Sequence, residues 1–380
     1  MNIFKLHRTA TDCAARRGTL RLPHAEAVET PVFMPVGTQG TVKAMTWEMV
    51  TELGYRLVLG NTFHLYLRPG SERIARFGGL HRFTGWDGAM LTDSGGYQVF
   101  SLKDLRTITE EGVRFRSPVD GTYHDFTPEN VMRIEHEIGA DIIMAFDECP
   151  PYPATREYTR DSTERTHRWA ERCLSEHERR GGDGSGSLLF GIVQGGVYDD
   201  LRQESARVIS GMPFAGIAVG GVSVGEPAEE IRRILEVTMP HLPTDRPRYL
   251  MGVGTPADLL DGVMNGVDMF DCVLPTRMAR NGTLFTSYGR AHIGNARWTD
   301  EQGPIDPECS CAVCRRHSAA YLRHLGQTNE ILGSVLATYH NLAFYAQLMG
   351  EIRAAIDADR FLEFRAESLL KWARGPQTSL

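Results

Sequence analysis

Eight short runs of apolar, largely β-forming residues recur along this chain, and each leads into glycine, a polar residue or both. They occupy residues 31–37, 57–62, 89–94, 141–147, 188–195, 216–221, 248–254 and 267–272. A strand that is apolar at almost every position is buried on both faces, which implies a parallel sheet covered by helices. Amphipathic stretches fill most of the gaps. Thr127-Pro128-Glu129 and Thr255-Pro256-Ala257 each open a helix with a capping hydroxyl and a proline in the first turn. Eight strand and helix units predict an α/β fold, a (β/α)8 TIM barrel. The alternative is an open doubly wound sheet. It lacks support, because no Gly-x-Gly-x-x-Gly turn follows the first strand and no Gly-Lys-Ser or Gly-Lys-Thr phosphate loop is present.

Two segments stand outside a plain barrel. Residues 1–30 read as an antiparallel hairpin ahead of the barrel core, which is expected over residues 31–290. A cysteine-rich stretch then marks a subdomain at 291–345, and residues 346–380 are expected to form helices packing on the barrel. Residues 181–187, Gly-Gly-Asp-Gly-Ser-Gly-Ser, read as a flexible loop from composition alone.

A chain of 380 residues, 42% hydrophobic and 23% charged, can bury a full core. No segment approaches the roughly 20 apolar residues that a membrane span needs. A cytoplasmic address with no membrane partner is therefore expected. Cysteine usage agrees: Cys13, Cys149, Cys173 and Cys272 are scattered singly, which is no disulfide framework. The net charge of −7 argues against a general nucleic-acid coat but leaves room for a local basic patch.

The other three thiols, Cys309, Cys311 and Cys314, lie within six residues. Such packing points to a metal knuckle, with zinc as the expected ion and one further ligand needed to close a tetrahedron. His317, His324 and His340 lie downstream as candidates, and Arg315 and Arg316 put positive charge beside the knuckle.

In a (β/α)8 barrel, function gathers at the C-terminal ends of the strands, where Asp93, Asp147, Gln194, Gly221 and Asp271 fall. Any one of these aspartates could simply cap a helix. Three in one bowl suit glycosidic chemistry, in which one carboxylate attacks and another moves the proton. They equally suit recognition of a guanine-like edge, whose N–H donors need acceptors.

Several motifs together resemble the bacterial tRNA-guanine transglycosylase family. They are Asp93-Ser94-Gly95-Gly96-Tyr97-Gln98-Val99-Phe100, Phe146-Asp147-Glu148-Cys149, Gly191-Ile192-Val193-Gln194-Gly195-Gly196, Phe270-Asp271-Cys272-Val273-Leu274-Pro275-Thr276-Arg277 and the cysteine knuckle. The resemblance spans nearly the whole chain. It implies a barrel with an inserted zinc-binding subdomain near the C-terminus. The implied activity replaces guanine at the wobble position of tRNAs with a G-U-N anticodon by 7-aminomethyl-7-deazaguanine (preQ1), in queuosine modification.

The same resemblance implies the roles. Asp271 would be the nucleophile at ribose C1′ and Asp93 the general acid and base. Asp147, Gln194, Gly221 and the backbone carbonyl of Val222 would form the base pocket, with Tyr97 and Met251 stacking on the ring. Cys149, Val222, Val224 and Glu226 bear on which base is inserted, and valine at 222 replaces the leucine of some relatives. Arg277 and Arg280 would read the anticodon loop, and Arg315, Arg316 and Arg323 are candidates for phosphate contacts. His340 becomes the fourth ligand of a structural zinc. Phe83, His317, Tyr321 and His324 resemble a homodimer contact. Cys149 and Cys272 are taken as small apolar residues, outside the chemistry.

Overall fold

The computed structural model describes residues 3–102 and 105–375. All eight predicted runs are strands of one parallel sheet: β1 (Val32–Pro35), β2 (Leu57–Asn61), β3 (Ala89–Asp93), β4 (Ile142–Met144), β5 (Leu188–Val193), β6 (Gly216–Val219), β7 (Arg248–Leu250) and β8 (Met269–Cys272). Pairing runs in chain order from β2 round to β8, and β8 then pairs with β1. The ring closes between β1 and β2 through a parallel bridge from Val36 to Leu59, where Gly37 N–H donates to Leu59 O at 2.6 Å. The fold is the expected (β/α)8 barrel.

Alternation along each strand sorts the apolar residues into two cores. Leu57, Leu59, Ala89, Leu91, Ile142, Met144, Phe190, Ile192, Tyr249 and Met269 fill the barrel interior. Val58, Met90, Ile143, Leu189, Ile217, Leu250 and Phe270 pack outward with the helical layer. Counting on by two from the interior set carries Asn61, Asp93, Gln194, Met251 and Asp271 inward at the C-terminal mouth. The helices begin as expected: Thr127 Oγ1 accepts from Asn130 N, and Thr255 Oγ1 from Asp258 N, both at 3.2 Å.

Residues before β1 form a three-stranded antiparallel sheet, Phe4–Thr9, Arg16–Leu22 and Ala25–Thr30, one strand more than a hairpin. Phe4, Leu20, Leu22 and Val28 join the interior core, so this sheet plugs the N-terminal end of the barrel. It is stapled there by Asp141, whose Oδ1 meets His24 Nδ1 and whose Oδ2 meets His81 Nε2, each at 2.9 Å. The two imidazoles stack at 3.7 Å and 16°.

A second antiparallel sheet, Arg106–Ile108, Val113–Arg116 and Tyr123–Phe126, follows β3 and was not anticipated. Only one of its faces is buried, through Val113, Phe115 and Phe126, so its apolar signal is half that of a barrel strand. Residues 182–185, inside the expected flexible loop, form a 3-10 turn. At the C-terminus, the hairpin Thr283–Thr286 and Gly289–His292 is followed by the cysteine turn and the 27-residue helix Ile331–Asp357. Divisions drawn at residues 290 and 345 fall inside that hairpin and that helix. One helix thus carries His340 to the cysteines and packs Tyr345 and Leu348 into the helical layer.

Candidate active site and metal centre

Asp271, the third residue of β8, points into the barrel mouth and is 9% exposed. Its Oδ1 accepts from Tyr249 Oη at 2.6 Å and from Gly252 N at 2.7 Å. Among the described residues no donor reaches Oδ2, which leaves that oxygen for an incoming atom. Burial raises the proton affinity of Asp271, against the two hydrogen bonds.

Asp93 ends β3, beside Asn61 in the register of β2. Its Oδ2 accepts from Asn61 Nδ2 at 2.5 Å, and its Oδ1 from Thr62 N at 3.1 Å and Gly95 N at 3.3 Å. Burial, with a smaller push from the charge of Asp271, raises its pKa to about 7 despite those donors. A carboxyl poised there can give and take a proton at neutral pH, while a second carboxylate in the same bowl stays available for attack.

Asp147, just past β4, accepts from Gln194 Nε2 at 2.6 Å and from Ser94 Oγ at 3.3 Å. Burial pushes its pKa up to about 6. Gln194 is fully buried, and its Oε1 has no partner among the described residues, so the pocket holds an acceptor that awaits a donor. A Cβ on Gly96 would lie 2.8 Å from Asp147 Oδ1, and one on Gly221 would lie 2.2 Å from Gln194 Oε1; both glycines are required by space. Val222 is buried, Met251 half-buried against the interior core, and Tyr97 exposed at the rim. Burial lifts the Cys272 thiol to about 12 and the Cys149 thiol still higher, in keeping with an apolar role for both.

Arg277 and Arg280 lie on the helix Leu274–Arg280 that directly follows β8, and both are exposed. At the C-terminal turn, the sulfurs of Cys309, Cys311 and Cys314 lie 3.8, 3.7 and 3.3 Å from His340 Nδ1. Tetrahedral zinc, with bonds of about 2.3 Å to sulfur and 2.0–2.1 Å to nitrogen, separates such ligands by about 3.5 Å. These four residues form a Cys3His group that fits a metal ion. His340 Nε2 meets Phe285 O at 2.8 Å, which fixes the ring and directs Nδ1 at the thiols. His317 instead stacks on Tyr321.

The chain was compared with known proteins. Residues 12–374 match the model of the family described as queuine tRNA-ribosyltransferase. The chain belongs to that family. A queuine tRNA-ribosyltransferase of Desulforamulus reducens is 57% identical over 96% of this chain and 97% of its own length. Those of Caldanaerobacter subterraneus subsp. tengcongensis and Thiobacillus denitrificans are each 56% identical, over 94% and 96% of this chain and 94% and 97% of their own lengths. The enzyme class, a tRNA-guanine transglycosylase of queuosine modification, follows from that membership.

Sequence reasoning missed Asn61, Tyr249 and Arg202. Strand parity could have found the first two, since Asn61 follows Leu59 by two residues and Tyr249 precedes Met251 by two. Arg202 gave no local signal. Its side chain is fully buried and donates from Nε to Gly196 O at 2.7 Å, from Nη1 to Gly220 O at 2.7 Å and Val193 O at 3.3 Å, and from Nη2 to Gly221 O at 3.0 Å.

Proposed function

We propose that this chain exchanges guanine at the wobble position of G-U-N anticodon tRNAs for preQ1 through a covalent link between Asp271 and the ribose. The carrying observation is the pairing of two unlike carboxyls in one bowl. Asp271 Oδ1 is held by two donors while Oδ2 is free, and Asp93 is poised to about 7. Oδ2 of Asp271 attacks C1′, and the C1′–N9 bond breaks with its electron pair going into the purine. Asp93 supplies the proton that neutralises the departing guanine. In the second half, the incoming base surrenders its N9 proton to Asp93, attacks C1′ and releases Asp271. Two displacements retain configuration.

Asp147, Gln194, Gly221 and Val222 hold the base edge, with Tyr97 and Met251 against the ring. The target nucleotide must leave its stack to enter. Arg277 and Arg280 contact the flanking anticodon nucleotides. Cys309, Cys311, Cys314 and His340 hold a zinc ion, which knits the C-terminal turn to the long helix; the four-ligand shell leaves no position for water and so no part in the reaction. The exposed surface of Tyr321, Ile331 and Leu332 supports a homodimer, and the working place is the cytoplasm. Among the described residues no helix is long and apolar enough to cross a membrane.

The test is incorporation of labelled guanine into unfractionated tRNA by the wild type and Asp271→Asn, with denaturing gels for a covalent RNA adduct. Exchange and adduct in the wild type alone support the reading. An adduct formed by Asp271→Asn, or no exchange by the wild type, sinks it.

A further inference from the structure

We infer that Glu135 is a positioning residue for the proton transfer: from outside the barrel its carboxyl clamps Thr62 and Thr92, whose strand ends hold Asp93 on the inside. The inference rests on the base-exchange reading above and extends it to a group that touches no substrate.

Glu135 lies on the helix Pro128–Ile138, whose Val131, Ile134 and Ile138 pack in the outer core, and it is wholly buried. Its Oε2 accepts from Thr92 Oγ1 at 2.5 Å. Its Oε1 and Thr62 Oγ1 are both buried with no other hydrogen-bond partner among the described residues, and the Thr62 hydroxyl faces the carboxyl. Each carboxyl oxygen therefore has one threonine to address.

Those two threonines flank Asp93. In the register of β2 and β3, Gly60 pairs with Thr92 and Asn61 with Asp93. Strand parity sends Thr92 outward to the helix and Asp93 inward to the mouth. Thr62 serves both sides: its N–H donates to Asp93 Oδ1 at 3.1 Å, while its hydroxyl meets Glu135. Asn61, directly before it, donates Nδ2 to Asp93 Oδ2 at 2.5 Å. Both donors to Asp93 from β2 thus hang on the strand end that Glu135 grips.

Two carboxyls buried on either side of one strand pair carry one negative charge more readily than two. The charge of Asp93 adds to the rise in the proton affinity of Glu135, so Glu135 is the group that keeps its proton while Asp93 ionises. With Oε2 taken up by the Thr92 hydroxyl, the retained proton sits on Oε1 and is offered to Thr62 Oγ1. The clamp is closed in either state of Asp93. Asp93 can then give a proton to the departing guanine and take one from the incoming base without its holders shifting.

The experiment follows Asp93 directly. Protein isotope-labelled at the aspartate carboxyl carbon is titrated by NMR, the Asp93 signal being assigned by its loss in Asp93→Asn. Wild type, Glu135→Ala and Glu135→Gln are compared, with the pH profile of adduct formation recorded beside each. Glutamine can accept from Thr92 and donate to Thr62, so it keeps the clamp, whereas alanine opens it. Once Thr62 N–H loosens from Asp93, loss of that donor raises the proton affinity of the carboxyl. The expected result for Glu135→Ala is an Asp93 midpoint higher by roughly half a pH unit or more, with the alkaline limb of adduct formation moving with it and the KM for tRNA unchanged. Glu135→Gln is expected to keep the wild-type midpoint. A folded Glu135→Ala whose midpoint is unmoved or lowered overturns the inference, and so does a Glu135→Gln that shifts as alanine does.

If Glu135→Ala does not fold, Thr62→Val decides, since it removes the hydroxyl and keeps the shape and the backbone N–H. The same upward shift supports the clamp, and an unmoved midpoint overturns it. A wild type in which Asp93 titrates but no adduct forms at any pH sinks the base-exchange reading instead, an outcome distinct from either.

Discussion

Tyr249 donates its hydroxyl to Oδ1 of Asp271 at 2.6 Å, from a neighbouring strand and wholly within the barrel. The bond leaves Oδ2, the oxygen proposed to attack, without a donor among the described residues, and holds the carboxylate at one angle to the mouth. Tyr249→Phe keeps the ring packing and removes that donor. Stability is expected to fall by about 1–2 kcal/mol. Adduct formation should slow by about 100- to 1,000-fold, of the order seen when one positioned donor is removed from a reacting centre. Urea unfolding and single-turnover adduct assays check the two effects separately.

In the proposed exchange, Asp93 must be protonated to neutralise the departing guanine. Its folded pKa of about 7 therefore predicts that adduct formation declines as pH rises through neutrality. Because the pKa is raised above that of the unfolded chain, the stability attached to the protonated form is complete at acid pH and is lost as pH rises through about 7. Asp93→Asn should abolish exchange and flatten this part of the stability profile. Denaturant unfolding of both proteins between acid and mildly alkaline pH measures it, and parallel profiles would contradict the assignment.

Glu135 is fully buried behind Asp93, with Thr92 Oγ1 donating to its Oε2 at 2.5 Å. Burial raises its pKa well above the usual carboxylate range, and the charge of Asp93 adds to the rise. The folded protein therefore holds this proton more tightly than the unfolded chain, and the stability tied to it is lost as pH climbs above the unfolded value. Glu135→Gln should match the wild type at acid pH and gain on it as pH rises. Glu135→Ala should lose about 2–3 kcal/mol from the cavity and the stranded Thr92 hydroxyl. Thermal unfolding against pH distinguishes these outcomes.

The Cys3His group of the C-terminal turn joins a loop to a helix, so removing the proposed zinc ion should act on the fold. Purified protein is expected to carry one zinc per chain by elemental analysis. His340→Ala should abolish it and expose the segment around residues 305–318 to proteolysis. Zinc removed with the fold intact and only the reaction lost would contradict a structural role.

Arg277→Ala and Arg280→Ala should each raise the KM for tRNA and leave guanine affinity unchanged. For an arginine that meets a phosphate, the slope of log affinity against log salt should fall by about 1. Filter binding across a salt series reads both.

Much of this was legible in the chain. Apolar runs that lead into glycine or a polar residue mark all eight barrel strands, because a strand buried on both faces is apolar along most of its length. Period-two alternation from Leu91, Ile192 and Met269 carries Asp93, Gln194 and Asp271 to the mouth, and the spacing of Cys309, Cys311 and Cys314 announces a group that can hold a metal. The half-exposed sheet between residues 106 and 126 escaped, since burial of one face writes only half that pattern.

Tertiary structure alone decided the rest. The proton affinity of Asp93 depends on burial and on Asn61, Thr62 and Asp271, which barrel closure brings to it from two other strand ends. The selection of His340 over nearer histidines depends on where a 27-residue helix docks, and the grip of Arg202 on two glycine loops depends on the order of β5 and β6 in the ring. Local sequence fixes strand and helix through burial periodicity and caps, whereas charge, desolvation and hydrogen bonding at the mouth are set by neighbours remote in the chain, and these exist only once the barrel has closed.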